Sequence, residues 1–306
     1  MSDPVVSIAL LTKNGAETLP AVLQALWRQR VVFPIEIVAV DSGSTDDTLN
    51  ILRSKAVRVI EIPPESFNHG TTRNLAMQAC AGQFVVMLVQ DAEPVGDQWL
   101  NAMLEPFVSD PLVAGTFARQ QPRPEASEIT RRYLARWVAG SPQPRITAGT
   151  SVEFETLDPL ERMDRSTIDN VCACIRRDVW LEWPFREVKI GEDVAWGRDV
   201  ILAGYRLAYA PDAVVIHSHD RSPRYEYQRT RDLHEQLGEL FGVHTIPTFG
   251  SLARAISTTA LKHLWWELGE PRRLPRALAL AVAWPLGQYV GGRRLSQRPS
   301  DRGLLR

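Results

Sequence analysis

The chain has 306 residues, 44% of them hydrophobic and 23% charged, at a formal net charge of -1. That length buries a sizeable core, as one large domain with an appendage, and the near-neutral balance is ordinary for a soluble globular enzyme and argues against a general nucleic-acid binder. The mean conceals an asymmetry: residues 241–306 carry ten Lys and Arg against three Asp and Glu, and a basic tail behind an acidic body suggests a partner or a surface.

In chain order, "VVSIALLTKN" reads as a short strand, and "ETLPAVLQALWRQ" repeats apolar residues at Leu19, Leu23, Leu26 and Trp27 with helical spacing. "IEIVAVDSGS" is a strand ending in turn residues, "TDDTLNILRSK" opens a helix with Thr45 as its N-cap, and "VRVIEI" is strand-like. "TTRNLAMQACA" is helical and "QFVVMLVQ" is an apolar strand. This βα alternation predicts an α/β fold with a mostly parallel sheet and helices on its faces. Ligands of such sheets bind beyond the carboxyl ends of the strands, which makes "TKN", "DSGSTDD" and "QDAEP" neighbours in one crevice. A loop-rich centre from Gln120 to Asp169 follows, holding one helical stretch, "ASEITRRYLARWV". "NVCACIRRDVW" turns from strand to helix, "IGEDVAWGRDVILAGY" is a helix opened by acidic residues, and "RLAYAPDAVVIHSHD" is a last strand ending in two histidines. Helices are expected from Arg221 onward, and the chain has no internal repeat.

Three cysteines, Cys80, Cys172 and Cys174, form neither a disulfide framework nor a metal-knuckle spacing, which fits a reducing compartment. The N-terminus has no basic lead before its apolar run, so a cytoplasmic location is expected. "ALALAVAWPLGQYVGG" contains Pro285 and falls short of the roughly 20 residues a spanning helix needs. With Trp265, Trp266, Trp284 and Tyr289, and with Arg272, Arg273, Arg276, Arg293 and Arg294, the tail suits peripheral contact with an anionic membrane; a packed helical cap or dimer contact fits it equally well.

Several residues can carry chemistry. Asp41 and Asp91 both end strands at the crevice; either alone reads as a helix cap, but two on one sheet point to a ligand. Asp41 is placed to meet a base or a ribose, the small residues from Ser42 onward let a ligand approach closely, and Gln90 beside Asp91 is a further candidate for ligand contact. A hard divalent cation needs only one or two carboxylates besides phosphate oxygens and water, so Asp91 suffices to anchor one. Glu192 and Asp193 open a helix whose dipole favours their ionised form, as capping residues or as a general base, ionised at neutral pH. His217 and His219 alternate, so they would share one face of a strand and could ligate a metal or grip phosphate. Arg73 could neutralise phosphate or simply decorate a helix.

Taken together, "VSIALLTKNG", "VAVDSGSTDDT", "FNHGTTRNLAMQACAG", "VQDAEP", "VAGTFARQQP", "NVCACIRRDVW" and "PFREVKIGEDVAWGRDVILAGYRLAYAPDAVVIHSHD" resemble the inverting nucleotide-sugar glycosyltransferases of family 2, within them the bacterial rhamnosyltransferase-like branch. The resemblance spans roughly Val5 to Asp220. It implies the GT-A fold, a Rossmann-like, mostly parallel sheet flanked by helices; with the composition break at Phe241, residues 1–240 are expected to be catalytic, as a nucleotide-binding half (1–119) and an acceptor half (120–240), and 241–306 a helical C-terminal extension. It implies that Thr12, Asp41 and Arg73 contact the nucleotide, that Asp91 binds Mg²⁺ or Mn²⁺, and that Asp193 is the catalytic base, with Glu192 positioning the acceptor. Trp180 and Trp183 would shape a pocket or fill the core. The chain departs from the Asp-x-Asp pattern of many relatives, since Val89 stands two residues before Asp91, which leaves Glu93, His217 and His219 as supplementary ligands. The implied reaction moves rhamnose from dTDP-rhamnose to a hydroxyl of a saccharide or lipid-linked saccharide in cell-surface polysaccharide synthesis. UDP- or GDP-hexose donors and an inactive nucleotide-sugar-binding module are the alternatives. A dinucleotide oxidoreductase is excluded because "LLTKNGAETLP" lacks the G-x-G-x-x-G turn, and a nucleotidyltransferase because the glycine-rich basic loop is missing there.

Overall fold

The computed structural model describes residues 5–55 and 57–296, without the side chains of residues 294–296, so the tail residue Arg294 lies outside the described side chains. Contacts divide the chain into two compact units: one reaches Ala126 and resumes at Thr130–His219, and the other joins Ser127–Ile129 to the chain from Asp220 onward. The division falls ahead of the 240/241 position read from composition.

The first unit is built on one sheet of nine strands: β1 (Val6–Thr12), β2 (Ile35–Asp41), β3 (Arg58–Glu61), β4 (Phe84–Val89), β5 (Glu93–Pro94), β6 (Val113–Gln121), β7 (Arg145–Thr147), β8 (Cys172–Arg176) and β9 (Arg206–Ile216). The order is β3-β2-β1-β4-β8-β6-β9-β5, with β7 also paired to β9. The βα alternation delivers β3, β2, β1 and β4 in parallel, as a crossover through a helix requires. The second half is mixed. β8 runs antiparallel between β4 and β6, β9 runs parallel to β6, and β5 and β7 run antiparallel to β9. The carboxyl ends of β1, β2, β4, β6 and β9 and the amino end of β8 therefore share one edge of the sheet.

The core explains why these segments are strands. Val6, Ile8, Leu10, Val86, Leu88, Cys172 and Cys174 are buried together with Trp99 and Met103, as expected for strands covered on both faces. All three cysteines are free and buried, and burial raises each thiol, Cys80 to about 12. Helix Leu19–Trp27 buries Leu19, Val22, Leu23 and Leu26, but Trp27, counted in the same repeat, is 52% exposed. Helix Thr48–Ser54 starts three residues after the expected cap, with Asp47 rather than Thr45 at its N-cap. Trp180 is core, donating its indole N–H to Asn74 Oδ1 at 2.9 Å, whereas Trp183 is exposed.

The second unit is helical: Pro223–Phe241, Phe249–Trp266 and Leu274–Ser296. Its first and last helices pack closely through glycine, since a Cβ on Gly291 would lie 2.3 Å from the Arg231 carbonyl oxygen. Trp266 fills a small core with Ile129 and Ala277, and Trp284 packs against it while donating to Glu226 Oε2 at 3.0 Å. Of the tryptophans expected at a membrane, only Trp265 is exposed, on a helix that also exposes Phe249 and Leu261. Among the described residues, no helix is long and apolar enough to cross a membrane.

In helix Glu192–Leu202, Gly197 faces the Ser166 carbonyl, which would lie 2.0 Å from an added Cβ. Gly197→Ala must push this helix away and should cost about 1–3 kcal/mol, as overpacking does, read as a lowered midpoint in urea. An unchanged midpoint would mean that the helix yields freely there.

Candidate active site

A two-residue strand assembles the first cluster. β5 pairs with the end of β9, Glu93 opposite Ile216 and Pro94 opposite Val215, and Val95 N–H donates to the Val214 carbonyl at 2.9 Å. The turn carrying Asp91 is thereby pinned beside the residues that follow β9. His219 Nε2 lies 3.0 Å from Asp91 Oδ2 and His217 Nε2 lies 3.7 Å from Asp91 Oδ1. The two rings meet edge to face at 4.8 Å between centroids. The Arg123 guanidinium donates to the Asp91 carbonyl, and Arg123 N–H donates to Ser218 Oγ at 3.0 Å, fixing the residue between the histidines. Burial opposes ionisation of Asp91, but the hydrogen bond from His219, then the two imidazoles and the Arg123 guanidinium beside it, outweigh burial and hold the carboxyl below its usual range. Burial pushes the His217 imidazole down to about 4, which leaves it neutral.

The ligand atoms of Asp91, His217 and His219 all lie within 4.8 Å of one another. The 3.7 Å gap between Asp91 and His217 is too long for a hydrogen bond. A carboxylate facing a neutral imidazole across such a gap is suited to a cation placed between them. Two nitrogens and one oxygen fit a divalent ion such as Mn²⁺ better than Mg²⁺, which prefers oxygen throughout. Glu93 is outside this group, its backbone engaged in the pairing with Ile216.

On the nucleotide side, Asp41 is fully buried and its oxygens are taken by the chain itself. They accept from Thr12 Oγ1 at 2.9 Å, from Gly43 N and Ser44 N at 3.0 and 2.8 Å, and from Ser44 Oγ at 2.6 Å. Ser42 donates through both N–H and Oγ to the Thr12 carbonyl. Gln90 makes a two-way link with the Lys13 backbone at 2.8 and 2.9 Å. These four residues, read from sequence as ligand contacts, hold the loops after β1, β2 and β4 to one another.

The acidic pair opens its helix at Gly191, whose φ of +81° is open to glycine at little cost. Glu192 is buried, ion-paired with Arg73 at 3.0 Å and bonded by Asn170 Nδ2 at 3.2 Å. Arg73, read from sequence as a phosphate ligand, is also buried; it contacts His69, and its Nε has no hydrogen-bond partner among the described residues. Burial opposes ionisation of Glu192, but the charges of Arg73 and His69 and the Asn170 bond outweigh it. Among the described residues, Asp193 receives backbone donors alone, Val194 N at 2.8 Å and Asn170 N at 3.4 Å. Burial, then the Glu192 and Asp169 carboxylates, push it up to about 7. The sequence reading had this group ionised at neutral pH with help from the helix dipole. Like charge and desolvation override the dipole.

Four polar residues at this edge escaped the sequence reading: Gln120, Arg123, Asp169 and Asn170. Applying the strand-end rule to "VAGTFARQQP", as to the first three strands, would have found Gln120. Asp169 and Asn170 precede an antiparallel strand, whose amino end reaches the site only because of the sheet order.

A sheet of this order, with acidic residues gathered at the carboxyl ends of its strands, is the GT-A glycosyltransferase fold. The family model for glycosyl transferase family 2 matches residues 7–180, and the chain belongs to that family. It is 30% identical over 234 residues to the O-antigen chain rhamnosyltransferase RfbN of Salmonella typhimurium, covering 74% of this chain and 70% of the relative. It is 33% identical over 205 residues to the O-antigen chain rhamnosyltransferase WbaN of Salmonella anatum, 65% of this chain and 61% of that one, less than two thirds of the relative's length. Among solved structures, the mannosyltransferase PcManGT from Pyrobaculum calidifontis in complex with GDP-Man and Mn²⁺ superposes with a TM-score of 0.54 at 21% identity, over 97% of this chain and 79% of that one. Glucosyl-3-phosphoglycerate synthase from Mycobacterium tuberculosis, in complex with Mn²⁺, UDP and glucosyl-3-phosphoglycerate, reaches 0.55 at 17% identity, over 81% and 82% of the two chains. At these identities the structures show the shared fold.

The raised carboxyl has a thermodynamic signature. Folding favours protonated Asp193, so this group costs the folded state stability progressively as pH rises from the unfolded value, about 4, to about 7, and no further above that. Asp193→Asn removes the cost. Urea midpoints of variant and wild type should converge at pH 4 and separate in favour of the variant up to pH 8; parallel curves would contradict the shift.

Proposed function

We propose that the protein is an inverting rhamnosyltransferase that moves rhamnose from dTDP-rhamnose to a hydroxyl of a saccharide or lipid-linked saccharide in cell-surface polysaccharide synthesis. The observation that carries the transfer chemistry is the pairing, at one sheet edge, of an Asp-His-His cluster with a carboxyl whose proton affinity lies near neutrality. The donor rests on the two rhamnosyltransferase relatives.

In this reading Asp91, His217 and His219 hold the divalent cation, which when bound supplies positive charge for the diphosphate. Thr12, Asp41, Ser42 and Gln90 shape the nucleotide pocket by bracing its loops. Arg73 neutralises Glu192 and so leaves Asp193 as the group free to take a proton. The acceptor O–H bond breaks as its oxygen bonds to the anomeric carbon, the proton goes to Asp193, and the bond from that carbon to the phosphate oxygen breaks with its electron pair leaving on the diphosphate. One displacement inverts the anomeric centre. A general base works best with a pKa near the operating pH, and about 7 meets that condition.

Residues 1–119 are then the nucleotide-binding half, 120–240 the acceptor half, and 241–306 a helical extension. Phe249, Leu261 and Trp265 are exposed on a helix whose only Asp, Glu, Lys or Arg residues are Arg254 and Lys262, a surface suited to anionic lipid at the cytoplasmic face of a membrane. The double variant Leu261→Ser, Trp265→Ser should lose at least half of its co-sedimentation with phosphatidylglycerol vesicles; undiminished binding rules this surface out.

The central test incubates the full chain with Mn²⁺ and dTDP-rhamnose, GDP-mannose or UDP-glucose and follows release of nucleoside diphosphate in the presence of acceptor lipid extract. Turnover of dTDP-rhamnose should rise with pH through about 7, because the base must be ionised. Asp193→Asn should lower it by about 10²–10⁴-fold while calorimetric nucleotide affinity stays within twofold. Transfer surviving in that variant removes Asp193 as the base. Preference for a GDP- or UDP-hexose redirects the donor, and no turnover with any of them favours a binding module.

A further inference from the structure

Gln120 sits at the end of β6, 7% exposed, with hydrogen bonds on both sides of its amide. Its Nε2 donates to Asp169 Oδ2 at 2.7 Å, and its Oε1 lies 3.1 Å from His217 Nδ1. Asp169 has three N–H donors aimed at it: Gln120, Trp137 Nε1 on the same oxygen at 3.1 Å, and Val171 N on the other at 3.0 Å. A carboxylate gathering N–H groups in this way acts as an acceptor throughout. The Gln120 amide therefore has one allowed orientation, its NH₂ toward Asp169 and its oxygen toward His217. An amide oxygen cannot donate, so the His217 proton must be on Nδ1. The lone pair is then on Nε2, the nitrogen that faces Asp91 across 3.7 Å.

We propose that Gln120 is a positioning residue of the metal site: clamped by Asp169, it fixes His217 as the Nδ1–H tautomer and turns the Nε2 lone pair to the cation. The inference rests on the reading of Asp91, His217 and His219 as cation ligands. Its physical basis is general, since a ligating imidazole is oriented through the N–H on its other side, and removing that partner weakens metal binding by about 10–100-fold. It also links the metal site to the segment holding the base, because Asn170, next to Asp169 in the chain, donates its N–H to Asp193.

The test uses the full metal-free chain labelled with ¹⁵N-histidine, with His217 assigned through His217→Gln, together with titration of Mn²⁺ alone followed by paramagnetic resonance. Wild type should show a protonated Nδ1 and a bare Nε2 on His217. Gln120→Met, which keeps the volume and loses both bonds, should mix the tautomers and raise the Mn²⁺ dissociation constant about 10-fold or more. A purely structural role would lower the urea midpoint of Gln120→Met and leave the His217 tautomer as in wild type. A His217 proton on Nε2 in wild type overturns the proposal. So does Gln120→Met with unchanged tautomer and affinity while His217→Gln loses Mn²⁺, a result that leaves the metal site standing. Mn²⁺ binding that is absent from wild type and His217→Gln alike sinks the metal site itself.

Discussion

Two residues of antiparallel pairing, Glu93 and Pro94 against Ile216 and Val215, bring together parts of the chain more than a hundred positions apart. Without them the turn after β4 and the segment after β9 have no shared register, because β8 and β6 stand between their strands in the sheet. The pairing is too short to hold by itself and relies on β9 being fixed along its length by β6 and β7. Asp91 is consequently placed by the far half of the sheet as much as by the strand that carries it. A carboxylate held in this way can be kept ionised and half-buried next to two imidazoles at little further cost in order, since the strand ends that flank it are already paired.

The second half of the site depends on how few cations are present. Glu192 and Asp193 are adjacent in sequence and share a buried helix start, so both cannot be ionised cheaply. Arg73 resolves the conflict by its position. Its guanidinium bonds Glu192 at 3.0 Å, and Asn170 adds a side-chain donor to the same oxygen, while the donors to Asp193 among the described residues are backbone N–H groups. The negative charge therefore settles on Glu192 and the labile proton on Asp193. A helix N-terminus favours both carboxylates by a few tenths of a kcal/mol to about 1 kcal/mol, too little to offset desolvation beside a fixed negative charge.

This division explains what could be read from the sequence. The parallel half of the sheet was legible because each strand is a continuous apolar run followed by helical spacing, and the strand ends at Thr12, Asp41 and Asp91 followed from it. The histidines were legible as a pair, and their meeting with Asp91 was anticipated as one option among others, but Glu93 was an equal candidate because nothing local reveals that its backbone enters a strand. The bonds that Arg73, Asp41 and Gln90 make within the protein were not legible. Arg73 meets Glu192 and Gln90 meets the Lys13 backbone, both distant in sequence, and Asp41 adds Thr12 to the donors of its own turn; only the fold identifies the distant partners. Asp169 and Asn170 were missed for the same reason: they gain their position from β8 entering the sheet antiparallel.

The missing second carboxylate of the Asp-x-Asp pattern has a structural counterpart. Its place is taken by Val89 at the end of β4, where the side chain packs against the core. A carboxylate there would face apolar neighbours, and the donors come from the end of β9 instead. Two imidazoles in place of a carboxylate leave the cluster with one formal negative charge when both rings are neutral. In the proposed reaction such a donor set would leave more of a bound cation's charge for the diphosphate. His217, kept neutral by burial, must then be oriented by a hydrogen bond from behind, and the buried Gln120 amide lies where such support is required.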